Sequence, residues 1–207
     1  MKRIAIVISS ENGHTKRIAN QMASQLNRLD ANVDLVNVAS QDGLSASDLA
    51  QYDAVIVGCP VYLGDFPQLL MDWTWEHRDQ LNMMPSAFFT VSLNAADPRP
   101  KARAIDDKVL RNYLVQTDFR PRFVASVGGA LEYTRYGFFK RCVLQGVSAA
   151  AGGPTDTSRD FDLTNWADVA QFVSAFFEQD MTSDYATVNR LPVAPHPVWP
   201  IGLPRVA

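Results

Sequence analysis

The sequence predicts an α/β fold of the open, doubly wound kind. Its core is a five-stranded parallel sheet in the order 2-1-3-4-5, with helices on both faces and an insertion around strand five. Three observations point there. Short, wholly apolar, β-branched runs recur through residue 127, as in strands buried on both faces. Between them apolar residues fall at helical spacing, so crossovers rather than hairpins join the strands. The loop after the first run is short, polar and glycine-containing, as a ligand loop at a switch point would be.

The elements follow in order. Residues 4–8, Ile-Ala-Ile-Val-Ile, form the first strand. The turn Ser9-Ser10-Glu11-Asn12-Gly13-His14-Thr15 leads into a helix marked by Ile18, Ala19, Met22, Ala23 and Leu26. Residues 33–38 make the second strand and residues 54–58, Ala-Val-Ile-Val-Gly, the third. After the turn Cys59-Pro60-Val61-Tyr62-Leu63-Gly64, Pro67 opens a helix with Leu70, Trp73 and His77 on one face. Residues 87–91 and 123–127 are the fourth and fifth strands. Between them Asp97-Pro98-Arg99-Pro100 reads as a loop, then Ile105, Val109, Asn112, Tyr113 and Gln116 mark a helix. After Gly128-Gly129 comes a long segment, a loop running into a helix, which ends at Gly152-Gly153-Pro154. Trp166, Val169, Phe172, Val173, Phe176 and Phe177 form the last helix, with Thr164 or Asn165 as its N-cap. Residues 1–180 thus make one domain. Residues 181–207 form a tail holding Pro192, Pro195, Pro197, Pro200 and Pro204, flexible or extended on the surface, with Trp199 and Ile201 as anchors on this or a second subunit.

Composition narrows the function. The chain has 207 residues, 47% hydrophobic and 20% charged, enough to bury a core without disulfides or metal. Two cysteines, Cys59 and Cys142, and three histidines, His14, His77 and His196, have no zinc-site spacing, so no metal site is expected. The net charge of −3 argues against a nucleic-acid partner. It conceals an asymmetry: residues 99–141 hold ten basic and four acidic side chains, 10 − 4 = +6, leaving −3 − 6 = −9 elsewhere. Such a segment suits a membrane surface, a carboxylate ligand or nucleic acid, or is simply a solvated face. The N-terminal apolar run is too short for a signal peptide, and no stretch approaches the roughly 20 residues of a spanning helix. The expected location is cytoplasmic, or at a membrane only by its surface, with two unpaired cysteines in a reducing compartment.

The chemistry is expected beyond the carboxyl ends of the strands. Hydroxyls and backbone amides of the first loop, followed by a helix N-terminus, form an anion site, and Gly13 permits the tight path. The patterns GxxxxGK[ST] and GxGxxG are both absent, so a monophosphate fits better than a triphosphate or a dinucleotide. A phosphate-accepting receiver domain would need acids after strand one and an aspartate after strand three, where Ser9-Ser10 and Cys59 stand. Pro60, Val61, Tyr62, Leu63 and Gly64 bring an aromatic to the same edge, able to stack on a flat heterocycle. Ser92, Leu93, Asn94 and Ala95 offer a polar third side. With Ser9, Ser10, Asn12, Gly13, His14 and Thr15 on the phosphate, these loops describe a flavin mononucleotide (FMN) site. His14 either hydrogen-bonds the phosphate or faces solvent, and Cys59 lacks a redox partner motif.

Three sets of residues carry a family resemblance. Ser9-x-x-x-Gly13-x-Thr15 resembles the flavodoxin phosphate loop, which many flavoproteins share. Residues 82–93, Asn-Met-Met-Pro-Ser-Ala-Phe-Phe-Thr-Val-Ser-Leu, resemble the fourth strand of the flavodoxin-like, quinone-dependent protoporphyrinogen oxidases of bacteria. So do Gly129-Ala130-Leu131-Glu132-Tyr133-Thr134-Arg135-Tyr136 and Gly152-Gly153-Pro154-Thr155-Asp156-Thr157, blocks that ordinary flavodoxins lack. The resemblance covers residues 1–177. It implies an FMN enzyme that oxidises protoporphyrinogen IX to protoporphyrin IX in haem biosynthesis. It also implies transfer of electrons to a membrane quinone, at the inner face of the cytoplasmic membrane. Chemistry would then reside in the cofactor, with no catalytic side chain required. Arg135, Lys140 and Arg141 would pair with the substrate's propionates or with anionic headgroups. The alternatives are a flavodoxin-type electron carrier, an FMN-dependent quinone reductase, or a binding module without flavin. Homo-oligomers are compatible with all of them.

Overall fold

Five parallel strands build the central sheet in the order β2-β1-β3-β4-β5. They are β1 (Lys2–Ile8), β2 (Ala31–Asn37), β3 (Ala54–Pro60), β4 (Ser86–Ser92) and β5 (Phe123–Gly128). The computed structural model describes residues 1–10, 13–40, 46–62, 64–131 and 156–180. Helices α1 (His14–Arg28), α2 (Ala46–Leu49), α3 (Gln68–Met83), α4 (Pro100–Thr117) and α5 (Trp166–Asp180) join or cover the strands. A 3₁₀ turn, Asn94–Ala96, precedes α4. This is the predicted fold, strand order included. Two short strands were not legible in the sequence: β6 (Ala130–Leu131) and β7 (Phe161–Asp162), which pair antiparallel beside the sheet.

The pleat explains the layering. Alternate side chains of a strand face opposite ways, so Ile4, Ile6 and Ile8 join α1 and α5 through Ile18, Met22, Leu26, Phe172 and Phe176. Ala5 and Val7 face the other layer, with Leu70, Trp73, Leu110, Tyr113 and Phe119. A strand buried on both sides must be apolar at every position, and β3 and β4 are buried along their whole length.

Two sequence expectations shift. Pro100 is the first residue of α4, not part of the loop before it; a proline there loses no intrahelical hydrogen bond. The buried face of α4 is Ala102, Asp106, Leu110, Tyr113 and Thr117, whereas Ile105, Asn112 and Gln116 face outward. Periodicity misplaced that stripe because two of its buried members are polar. The Asp106 carboxylate accepts from the Ser92 hydroxyl at 2.6 Å, and Thr117 donates to the Tyr113 carbonyl at 2.8 Å. No described helix is long and apolar enough to cross a membrane.

Candidate functional site

With β1 at the sheet centre, β2 lies on one side and β3 on the other, and the crevice opens where the chain changes direction. The loop after β1 sits there. Ser9 and Thr15 are buried and Ser10 half-buried. Gly13 caps α1 with φ 91°, a left-handed conformation that favours glycine. No side chain caps this helix, and no acid lies in its first turn. The first intrahelical bond runs from the Arg17 amide to the Gly13 carbonyl at 2.8 Å, so the first-turn amides are directed beyond the helix end. Hydroxyls of Ser9, Ser10 and Thr15, a glycine path and the positive end of α1 therefore meet, which is the donor set a phosphomonoester needs.

Neighbouring elements hold this loop, and the sequence reading missed the most distant of them. Asn37, the last residue of β2, accepts from the Ser10 amide at 3.1 Å and donates to the Ser10 carbonyl at 3.2 Å. Ser10 Oγ in turn accepts from the Gly13 amide at 3.2 Å. On the other side His14 Nε2 lies 2.8 Å from Thr164 Oγ1, whose own proton is directed to the Gly128 carbonyl at 2.7 Å. A hydroxyl has one proton to give, so His14 Nε2 is the donor in that contact. His14 thus faces protein rather than solvent. Asn165, not Thr164, caps α5: its carboxamide oxygen accepts from the Ala167 amide at 3.2 Å.

Asp162 pairs with Arg17 at 3.0 Å and accepts from the Trp166 indole at 3.2 Å. Burial alone would raise its pKa. The hydrogen bond from the Thr164 amide, the charge of His14 and the Trp166 contact outweigh burial and hold the carboxyl below the ordinary carboxylate range. A cleft of about 530 Å³ runs between Gly13, His14 and Arg17 on one wall and Ala130, Asp160, Phe161 and Asp162 on the other.

The second and third loops reach the same edge. Val61 continues the ladder, its amide donating to the Val91 carbonyl at 2.9 Å. Tyr62 and Asp65 exchange backbone hydrogen bonds at 3.0 and 2.9 Å around Gly64, whose φ of 92° closes the turn. This leaves the Tyr62 ring 41% exposed at the rim. In the third loop the expectation narrows. Ser92 is buried; its hydroxyl donates to Asp106 and accepts from the Ala95 amide at 3.0 Å. Those groups shape the 3₁₀ turn and are spent, so Leu93 and Asn94 carry what this loop offers a ligand. Burial pushes the Asp106 carboxyl up, against the opposing hydrogen bonds of Ser126 and Ser92. Cys59 lies in the core, its thiol pushed well up by burial, which suits a packing role. Asn12, Leu63, Arg135, Lys140 and Arg141, all expected at the site, lie outside the described residues. Among the described residues no group of side chains could hold a metal ion.

Sheet order, a polar, glycine-containing loop at the switch point and an aromatic rim loop define a flavodoxin-type protein. A family model described as a flavodoxin domain matches residues 5–158, and the chain belongs to that family. Oxidised flavodoxin 1 from Bacillus cereus superposes with a TM-score of 0.51 at 19% identity, over 86% of this chain and 98% of that one. An apo NADH:FMN oxidoreductase superposes at 0.53 and 13%, over 88% and 92%. These likenesses show the fold, and the flavodoxin domain indicates a flavin cofactor.

Two further relatives narrow the family. The chain is 35% identical over 172 residues to protoporphyrinogen IX dehydrogenase (quinone) of Leishmania major, covering 83% of this chain and 73% of that protein. It is 32% identical over 167 residues to the protein of the same name from Escherichia coli K12, covering 81% and 90%. The chain is a member of the protoporphyrinogen IX dehydrogenase (quinone) family.

Proposed function

We propose that this protein binds FMN and oxidises protoporphyrinogen IX to protoporphyrin IX, reducing a quinone. The observation that carries the reading is the 32–35% identity to the dehydrogenases over more than four-fifths of the chain. The flavodoxin likeness, at 19%, supports a shared fold and not a carrier's role.

The overall reaction balances as one porphyrinogen and three quinones giving one porphyrin and three quinols, six electrons and six protons moving in three pairs. Bound flavin supplies the two-electron exchange between the two substrates. The chain supplies position. Ser9, Ser10, Thr15 and the amides at the start of α1 hold the phosphate. Tyr62 covers one side of the ring, and Leu93 and Asn94 meet its polar edge. Arg135, Lys140 and Arg141 pair with the propionates, charge-assisted contacts that orient the macrocycle without proton transfer. The basic residues after α4, Arg120, Arg122, Arg135, Lys140 and Arg141, support peripheral attachment to the inner face of an anionic membrane, where a lipid-soluble quinone is found.

The test is an anaerobic assay with protoporphyrinogen IX and a quinone, followed by porphyrin fluorescence. Flavin-dependent growth above the quinone-only control is the expected result. A yellow protein that reduces quinones with other donors but leaves porphyrinogen untouched would overturn the reading.

A further inference from the structure

The surface of α3 and α4 carries a pattern that the flavin site does not use. Among the described residues the exposed large apolar side chains are Met1, Tyr62, Leu69, Trp75, Met83, Ile105 and Val115. Five of the seven lie on these two adjacent helices, and Val115 is 79% exposed. Charge is divided between the helices. The outer side of α3 exposes Asp72, Glu76 and Asp79, whereas that of α4 exposes Lys101, Lys108 and Arg111. These three cations make no ion pair among the described residues. Arg78 lies over the Trp75 ring at 4.2 Å and is 3.9 Å from Asp79, so it partly offsets the acidic helix. At about 100° per residue, Val115, Lys108, Arg111 and Lys101 all fall within roughly 40° of the line opposite the buried face, while Asp107, an exposed acid, lies roughly 80° away.

We infer that this face docks a second copy of the chain, α3 of each protomer lying on α4 of the other. The two helices run in the same direction, each returning from the end of one parallel strand to the start of the next. Two contacts fix their relative height: Thr74 Oγ1 to Tyr113 Oη, and Asn82 Nδ2 to the Asp118 carbonyl, both 2.8 Å, between residues 39 and 36 apart in sequence. A residue of α3 is thus level with the α4 residue some 36–39 positions later. A two-fold axis parallel to the helices keeps that height and exchanges the helices. Leu69 then faces Ile105, Asp72 faces Lys108, Trp75 faces Arg111 with Glu76 one residue further on, and Asp79 faces Val115, while Met83 lies level with the chain just after α4. An axis across the helices would instead set acids on acids and bases on bases.

The size of the face is modest. Helices of 16 and 18 residues, about 25 Å long and together about 20 Å wide, cover about 500 Å² per protomer, near the roughly 1,000 Å² total of a weak specific interface. The pairing is therefore salt-sensitive. Because the axis parallels the strands, both carboxyl edges open to the same side of the dimer.

The experiment is analytical ultracentrifugation of the full flavin-loaded chain in low and high salt. A dimer that weakens in high salt is expected. Lys108→Glu with Arg111→Glu makes both crests acidic, and Asp72→Lys with Glu76→Lys makes both basic. Each double variant should bind itself about 100-fold more weakly, and an equimolar mixture of the two should re-form a dimer. A wild-type monomer at 100 µM, a dimer indifferent to either pair of reversals, or a mixture that stays monomeric overturns the inference. So does a dimer abolished by deleting residues 181–207, or a monomer whose α4 reversals instead abolish binding to phosphatidylglycerol vesicles. Circular dichroism and flavin content verify the fold of each variant. Since none of the four residues lies at the flavin site, the porphyrinogen assay succeeds or fails independently of this result.

Discussion

Thr164 is where a single methyl-for-hydroxyl exchange tests the architecture of the site. Its hydroxyl joins the end of β5, through the Gly128 carbonyl at 2.7 Å, to the first residue of α1, through His14 at 2.8 Å. Thr164→Val keeps the side-chain shape and the amide bond to Asp162, and removes both hydrogen bonds. Each is worth about 1 kcal/mol net, and the partners lose them where water compensates poorly, the His14 side chain being only 10% exposed. The sum is about 2 kcal/mol. For a chain of this length that lowers the melting temperature by about 4–8 °C. The His14 contact also anchors the phosphate loop. Losing that one bond should weaken FMN binding by about three- to tenfold. Thermal unfolding by circular dichroism and FMN titration by fluorescence quenching measure the two effects. Thr164→Ser, which retains the hydroxyl, should recover most of both. A valine variant melting within about 1 °C of wild type, or a serine variant as impaired as the valine one, would refute the proposed clasp.

Three other outcomes are expected. Gly13→Val puts a β-branched residue at φ 91° in the phosphate loop; the purified protein should be folded but colourless, and stoichiometric flavin would remove Gly13 from the cradle. Asp106 has its carboxyl pKa raised by burial, so the native state keeps a proton that the unfolded chain releases, and stability falls as pH climbs above the ordinary 3.8. Asp106→Asn, which still accepts from Ser92, should melt above wild type at neutral pH and converge with it in acid; a lower melting temperature at neutral pH would contradict this. Cys59, buried and with its thiol pKa raised, should resist iodoacetamide in the native protein and react on unfolding, as peptide mapping would show; rapid native alkylation would indicate an open route to it.

What could be read from the sequence was local. Continuous apolar runs announce β1, β3 and β4 because a strand covered on both faces has no polar position to spare. Ser9, Ser10, Gly13 and Thr15 announce an anion site because their chemistry and spacing lie within one loop. The clasp between His14 and Thr164 spans 150 positions, and nothing near either residue signals the other. Asn37 had a weaker signal: a polar residue ending β2, which the strand order places beside β1. At Ser92 an exposed-edge position and a polar side chain suggest ligand contact, and the structure adds a second use for the hydroxyl. A buried carboxylate one layer below captures that hydroxyl, and apolar periodicity cannot reveal a buried aspartate.

These long-range contacts share a pattern that bears on how the site works. Each loop at the carboxyl edge is held by a group from a neighbouring element: Asn37 on Ser10, Thr164 on His14, and Asp106, through Ser92, on the 3₁₀ turn. The ladder bond from Val61 to Val91 does the same for the loop after β3. Protein contacts thereby hold the described backbone around the cradle. Ordering a loop residue costs about 1–2 kcal/mol, so a cofactor entering such a site meets little of that cost and keeps more of its contact energy as affinity. Tight retention matters for a flavin that must serve three successive two-electron steps, because a cofactor leaving between steps would strand a partly oxidised macrocycle. The clasps act on position, and the polar groups they use are already committed to holding the loops.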